Sequence, residues 1–206
     1  MLADLGAEPE ARHAETFIAD LQGSKTSTMT TMLFVDIVDS TPLVEAIGDA
    51  AWRDLCAWLD ATLRRAFAEH RGREVDHAGD GFFVVFPTAR DAVDCAVTVQ
   101  RRLFAHRKEQ GYAPRVRIGI HTGDAIESDG AVRGAAVHRA ARISAIASAD
   151  EIIASRAALE AAGLATTAVR AVTLKGVRDQ VEVGAVAWSA VEIGGMSPAS
   201  IGQDVG

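Results

Sequence analysis

A chain of 206 residues, 49% hydrophobic and 24% charged, has the make-up of one globular domain with appendages. Its 18 glycines and 5 prolines exclude collagen and low-complexity disorder. A net charge of −7 argues against a nucleic-acid coat protein, which is strongly basic, and leaves an anionic small-molecule substrate open, since local groups or a metal can reverse the field at a site.

Residues 1–28 start acidic and end near Gly23-Ser24-Lys25-Thr26, which reads as a short helix and a linker. They lack the basic and apolar regions of a signal peptide, so a cytoplasmic location is expected. The run is not a phosphate-binding loop. Ser24 separates Gly23 from Lys25, and Ile18 stands where the loop's first glycine belongs. Residues 30–38, TTMLFVDIV, form an apolar, β-rich run broken by one carboxylate, the pattern of a central strand. Ser40 or Thr41 can cap a following helix, with Pro42 at its first position. Ala51, Leu55, Trp58, Leu59, Thr62, Leu63 and Ala66 then recur at helical spacing up to a stop at Gly72. The segments REVDH and FFVVF flank Ala78-Gly79-Asp80-Gly81 and predict a hairpin.

A second helix carries Ala92, Val93, Ala96, Val99 and Leu103 on one face, and RVRIGIHTG at 115–123 reads as a strand. The order β-α-β-β-α-β over 30–123 is that of the ferredoxin-like motif. A loop at 125–134 follows, then a helix over 135–147, a short strand EIIAS, a small helix, and a hairpin pairing AVRAVTL with VEVGAVAW. The tail from Gly194 is expected to be disordered. The fold class is therefore α+β, a ferredoxin-like βαββαβ core with an αβ-hairpin extension. The expected division is a helix and linker at 1–28, one domain at 29–190 and a tail at 191–206. No run approaches the roughly 18 apolar residues of a membrane span. Cys56 and Cys95 lie far apart, outside any CxxC spacing, and read as small buried hydrophobes in a reducing compartment.

Asp36 is the first candidate functional residue. A carboxylate among Leu33, Phe34, Val35 and Ile37 has to be paired, protonated or bound to metal. Asp80 sits at the tip of a tight turn with glycine on both sides. In a β-α-β-β order the first strand and the hairpin are neighbours, so the two carboxylates can converge. Two hard oxygen ligands with few others nearby suit Mg²⁺ or Mn²⁺, which keep waters and take phosphate oxygens as further ligands. The plainer readings are a strand-end salt bridge for Asp36 and an Asp-Gly turn for Asp80.

FVDIVDST, AGDGFFVVF, RIGIHTGD, VHRAARI and LKG, in that order, resemble the class III nucleotidyl cyclase catalytic domain, bacterial type, over residues 30–188. ETFIADLQG before them resembles the linker that precedes cyclase domains in bacterial multidomain proteins. The resemblance implies a head-to-tail homodimer with composite sites. One protomer supplies Asp36 and Asp80 for two divalent ions, Mg or Mn, with Ile37 beside them at the metal. The backbone from Ile37 through Val38 and Ser40 to Thr41 cradles the phosphates. The partner supplies Arg142 and Lys175 against charge on the triphosphate. The implied reaction is attack of the ribose 3′-hydroxyl on the α-phosphorus of a purine nucleoside triphosphate, giving the 3′,5′-cyclic monophosphate and pyrophosphate. Two metals lower the hydroxyl pKa and neutralise phosphate charge, and cations oppose charge on the leaving group.

Three positions depart from the adenylate cyclase pattern, and a fourth from the phosphate loop's usual residue. Asp76 stands where a lysine is usual, Ala131 where a polar residue is usual, and His138 where an asparagine orients the ribose. Asp39 replaces a common glycine. A carboxylate accepts hydrogen bonds, which suits guanine N1–H and the 2-amino group and not adenine N1. The family's guanylate cyclases carry an acidic residue at the Asp76 place and a small one at the Ala131 place. ATP is the substrate by family prior, and Asp76 with Ala131 opens GTP. His138 can donate from a ring nitrogen much as asparagine does, or fill the pocket and abolish turnover. His77 is placed to pair locally with Asp76, and His121 reads as structural; His13, His70 and His106 carry no signal. The expectation is a nucleotidyl cyclase. Its alternative is a degenerate domain that binds nucleotide or a partner cyclase without turnover. An unrelated ferredoxin-like regulatory or RNA-binding module would need exposed aromatics and a basic face, which 5% aromatics and a charge of −7 do not supply.

Overall fold

A computed structural model describes residues 27–189. The predicted N-terminal helix and the tail beyond 190 lie outside the described residues. The elements are β1 (Ser27–Ile37), α1 (Ser40–Glu69), β2 (Arg73–Ala78), β3 (Gly81–Phe86), α2 (Ala89–Gln110), β4 (Val116–Ser128), β5 (Ala131–Arg133), α3 (Ala135–Ala145), β6 (Ile152–Ser155), α4 (Arg156–Ala161), β7 (Arg170–Val172) and β8 (Val181–Ala185). They form one sheet in the order β2-β3-β1-β4-β6-β8-β7, with β5 paired to β4. β1 runs antiparallel to β3 and β4, and among the described residues only β4 and β6 are parallel. This is the expected βαββαβ core with its αβ-hairpin extension.

Strand alternation sorts β1 between two faces. Leu33, Val35 and Ile37 join Phe82, Val84, Ile118 and Ile120 under Leu59, Leu63 and Phe67 of α1 and Val93, Val99 and Leu103 of α2. Met32 and Phe34 face the other way, with Phe83, Val85 and Ala136 and Ala140 of α3. Asp36 has the parity of this second face. Gly119 lets α3 lie directly on β4: a Cβ there would sit 2.2 Å from the Ser144 backbone nitrogen.

Several expectations need correction. β1 begins at Ser27, inside the segment assigned to the linker. The cap of α1 is Asp39, in a left-handed conformation without a side-chain cap bond, rather than Ser40 or Thr41. Pro42 therefore lies two residues into the helix, which breaks again at Gly48 with φ 79°. The expected loop at 125–134 is a hairpin of β4 and β5. Its Asp129 and Gly130 have φ 53° and 77°, the paired positive values of a type I′ turn. α3 closes at Ala145 rather than at 147. Cys95 is buried as expected, and its thiol is pushed up to about 12 by desolvation. Cys56 is only half-buried on α1.

Candidate active site

Asp36 is the next-to-last residue of β1 and stands opposite Arg117 in β4. Arg117 Nε donates to Asp36 Oδ2 at 3.1 Å, and Nη2 donates to the same oxygen. Each side chain is 31% exposed, so this is a partly hydrated ion pair with solvent access. The carboxylate is thus paired, as its place in an apolar strand required. Arg117 itself was not singled out in the sequence, where RVRIGI reads simply as a strand with polar alternate positions.

Asp80 follows Gly79, which takes φ 67° in the two-residue loop between β2 and β3. Val35 pairs with Phe82. Continuing that register brings Asp36 level with Gly81, one residue from Asp80. Asp80 Oδ2 is buried and has no hydrogen-bond partner. A buried carboxylate oxygen left without a donor is costly unless a cation meets it. No group of three or more His, Cys, Asp or Glu side chains fit to hold a metal occurs among the described residues. A cation there would have to draw on fewer than three such side chains together with backbone oxygen, water and substrate. That set suits a hard octahedral ion completed by water and phosphate, and not a protein-enclosed soft-metal site.

Between these carboxylates and α1 runs the turn Val38-Asp39. Asp39 has φ 57° and ψ 39°, a conformation that glycine adopts freely and aspartate tolerates. This accounts for glycine as the common residue there. The Asp39 side chain is exposed, and its carbonyl accepts from the Leu43 N–H at 3.3 Å. Leu43 is the first helix residue with an intrahelical partner; Pro42 has no N–H, so the first-turn donors are those of Ser40 and Thr41.

A cleft of about 190 Å³ opens on the α3 side of the sheet. Phe34 and Phe83 line it as a stacked pair, with centroids 4.6 Å apart. Asp36, Asp76 and Arg117 supply its polar lining, and Ala141, Ser144 and Ala145 of α3 form its other wall. Asp76 reaches the cleft through a bulge: Glu74 pairs with Val84, but Asp76 pairs with Phe83, leaving Val75 as the extra residue. His77 pairs with Phe82 and stacks on its ring at 4.0 Å. The expected His77–Asp76 pair is thus not formed. His77 lies instead 3.7 Å from Asp60 of α1, because successive strand residues point to opposite faces.

The remaining predicted residues do not converge on this cleft within one chain. His138 and Arg142 lie one helical turn apart on α3, both exposed, and neither lines the cleft. Lys175 is exposed in the β7–β8 connection. It occupies a turn closed by Val177 N–H to the Leu174 carbonyl at 3.0 Å, with Gly176 at φ 78°, the type II pattern. Ala131 opens β5 opposite Ser128. His121 is 6% exposed, and its Nδ1 lies 2.9 Å from Ser155 Oγ. Burial, with the Arg139 charge as a lesser cause, lowers its pKa to about 4, in keeping with a structural role.

This fold and these motifs define a class, and the sequence match agrees. The chain belongs to the adenylate and guanylate cyclase catalytic domain family, which matches residues 23–185. An uncharacterized protein of Mycobacterium tuberculosis is 31% identical over 129 residues, covering 62% of this chain and 42% of that protein. Adenylate cyclase 2 of Rhizobium meliloti is 28% identical over 106 residues, covering 47% of this chain and 29% of that enzyme. The chain thus spans less than half the length of these relatives. Among solved structures, the guanylyl cyclase Cya2 superposes with a TM-score of 0.71 at 27% identity, covering 79% of this chain and 93% of that one. The adenylyl cyclase CyaB from P. aeruginosa gives 0.67 at 20% identity, covering 81% and 97%, a likeness of fold. No described helix is long and apolar enough to cross a membrane.

Proposed function

We propose that this domain is a nucleotidyl cyclase, converting a purine nucleoside triphosphate to its 3′,5′-cyclic monophosphate and pyrophosphate at the interface of a homodimer. The observation that carries this reading is the pair Asp36 and Asp80 at one end of adjacent strands. Asp36 is held by Arg117, and Asp80 has a buried oxygen without a donor. Beside them is a helix start whose first N–H donors lack intrahelical partners, the arrangement that receives phosphate.

Asp36, Asp80 and the Ile37 carbonyl would hold two divalent ions, Mg or Mn. Such ions, when bound, lower the pKa of the ribose 3′-hydroxyl and neutralise phosphate charge. The chain's own residues supply the rest. The N–H groups of Ser40 and Thr41 orient the triphosphate beside the backbone of Ile37 and Val38, where the Val38 N–H is committed to the Arg115 carbonyl at 2.9 Å and holds the turn in place. Arg117 holds Asp36 in place before substrate arrives, and its partly exposed guanidinium can turn to a phosphate oxygen once Asp36 is otherwise engaged. The O3′–Pα bond forms as the 3′-hydroxyl gives its proton to solvent water and the bond from Pα to the bridging oxygen breaks, and pyrophosphate leaves carrying that electron pair. Arg142 and Lys175 of the second protomer oppose this charge, and His138 takes the ribose-positioning place. Their exposure, and their absence from the lining of their own chain's cleft, support a composite site.

Asp76 presents an acceptor where adenine N1 offers no donor and guanine offers two. Ala131 adds no polar group. The base reading is therefore GTP alongside ATP, against a family prior for ATP. The direct test is product analysis of the purified chain with Mn²⁺ and each nucleotide. Cyclic GMP or cyclic AMP with equimolar pyrophosphate is expected. Nucleotide binding without either product would replace this reading with a degenerate, binding-only domain.

A further inference from the structure

We infer that Arg64 is a positioning residue for base selection: its guanidinium fixes the bulged register of β2 and thereby aims Asp76 into the cleft. The link to the base rests on the proposed role of Asp76 above; the link to the register stands on geometry alone. Arg64 projects from α1 onto the far face of the hairpin. Its Nε and Nη2 donate to the two carboxylate oxygens of Glu74 at 2.8 and 3.2 Å. Nη2 also lies 3.2 Å from His77 Nδ1, and Nη1 donates to Asp60 Oδ2 at 3.0 Å. The guanidinium stands 4.9 Å over the Phe82 ring, on which His77 stacks.

Glu74 and His77 are three residues apart. On a regular strand such residues face opposite ways, since faces repeat every second residue. One guanidinium can meet both only if an extra residue is inserted between them. That residue is Val75, and its insertion sets Asp76 opposite Phe83. Without the bulge, the register after Glu74 would place Val75 opposite Phe83 and Asp76 opposite Phe82. Asp76 would then point toward α1, away from the cleft. The bulge has no glycine of its own to favour it, and Val75 is β-branched. The restraint comes from across the hairpin. Glu74 is held ionised by the bond from Arg64, its carboxyl lying below the usual range.

The test combines Arg64→Ala, Arg64→Lys and deletion of Val75 in the full chain. Lysine keeps the charge but cannot fork between Glu74 and His77. Removing Val75 puts Glu74 and His77 on one face of a regular strand, with Asp76 between them on the cleft face, whatever residue 64 is. The first readout is the cross-strand nuclear Overhauser contact of Asp76, to Phe83 or to Phe82. The second is the ratio of dissociation constants for Mn²⁺–GTP and Mn²⁺–ATP, with the melting midpoint recorded alongside.

In Arg64→Ala the Asp76 contacts should move from Phe83 toward Phe82. Its GTP:ATP preference should fall about fivefold or more, toward that of Asp76→Ala. Arg64→Lys should move both the same way, and deleting Val75 in the Arg64→Ala background should restore both. Asp76 contacts unchanged in the alanine and lysine variants would overturn the inference, as would a loss of melting temperature with the nucleotide ratio intact and the register kept. A register that moves while the ratio stays supports the role of Arg64 in the strand and overturns Asp76 as the base reader. A parent chain that binds neither nucleotide overturns the proposed function, and the contacts still decide the register.

Discussion

Asp36 and Asp80 are aspartates at neighbouring strand ends with different surroundings, and the difference sets what each loses on substitution. Asp36 has a guanidinium partner and solvent access, so Asp36→Ala leaves a partly hydrated arginine rather than a buried orphan charge. Its stability cost should stay near about 1 kcal/mol. Mn²⁺-dependent nucleotide binding should nevertheless vanish, since half of the carboxylate pair is gone; titration beside a thermal melt checks both. An Asp36→Ala variant that binds Mn²⁺–nucleotide like the parent would remove Asp36 from the metal site. Asp76 makes the second residue-scale prediction. Asp76 is exposed in the free chain, and an acceptor that becomes buried against a base that cannot donate costs roughly 1–3 kcal/mol, about 5- to 150-fold. Asp76→Lys turns the acceptor into a donor and should shift kcat/KM toward ATP within that range. A parent ATP:GTP ratio above about 100, unchanged by the substitution, would show that Asp76 does not touch the base. Both carboxylates were legible in the sequence, because a charge inside FVDIV and an Asp between glycines each demand an explanation. Arg117 was not, since an arginine at an alternate position of a strand demands none.

Elements were legible where periodicity ran long and less so where single residues bend the chain. The two long helices and the core strands follow from apolar spacing. The β4–β5 hairpin is hard to read from sequence although Asp129-Gly130 is a turn dipeptide, because the strands beside it, Glu127-Ser128 and Ala131-Val132-Arg133, carry too little apolar alternation to register. The cap of α1 is not legible in the sequence because Asp39 takes a left-handed backbone, which cap preferences for Ser and Thr do not encode. The bulge that aims Asp76 was invisible because its restraint, Arg64, lies ten residues away from Glu74 on another element. His121 shows what such long-range pairing implies for stability. It joins β4 to the start of α4 through Ser155, whose Oγ also accepts from Ala158 N–H at 3.2 Å. Burial holds the imidazole neutral down to about pH 4, whereas an unhindered histidine titrates at 6.5. Between those values the unfolded chain binds the extra proton, so stability is complete above pH 6.5 and falls as pH drops toward 4. The loss is on the order of 3 kcal/mol. Urea unfolding of the parent and of His121→Gln across that window should give curves that converge as pH falls. Parallel curves would mean that His121 does not contribute to the acid lability.

At the scale of the whole molecule, the proposed composite site makes one chain half of an active assembly. Its cleft gathers Asp36, Asp76 and Arg117, yet Arg142 of α3 and Lys175 of the β7–β8 turn are exposed and do not line it. On the proposed reading, exposed Arg142 acts on a triphosphate that a second copy brings to it. A two-fold dimer does this reciprocally, since each chain offers the same two patches. Each site would then take Asp36 and Asp80 from one chain and His138, Arg142 and Lys175 from the other. Asp36→Ala and Arg142→Ala homodimers should both be inactive, for each site would lack one component. In a mixed dimer, one site carries both lesions and the other carries none. With equal amounts and free exchange, half the dimers are mixed and half of their sites intact, so activity should recover to about a quarter of the parent value. Recovery should follow the rate of subunit exchange, measured by energy transfer between labelled chains. Full exchange without recovery would place Arg142 in the same site as the Asp36 of its own chain, and the composite arrangement would fall.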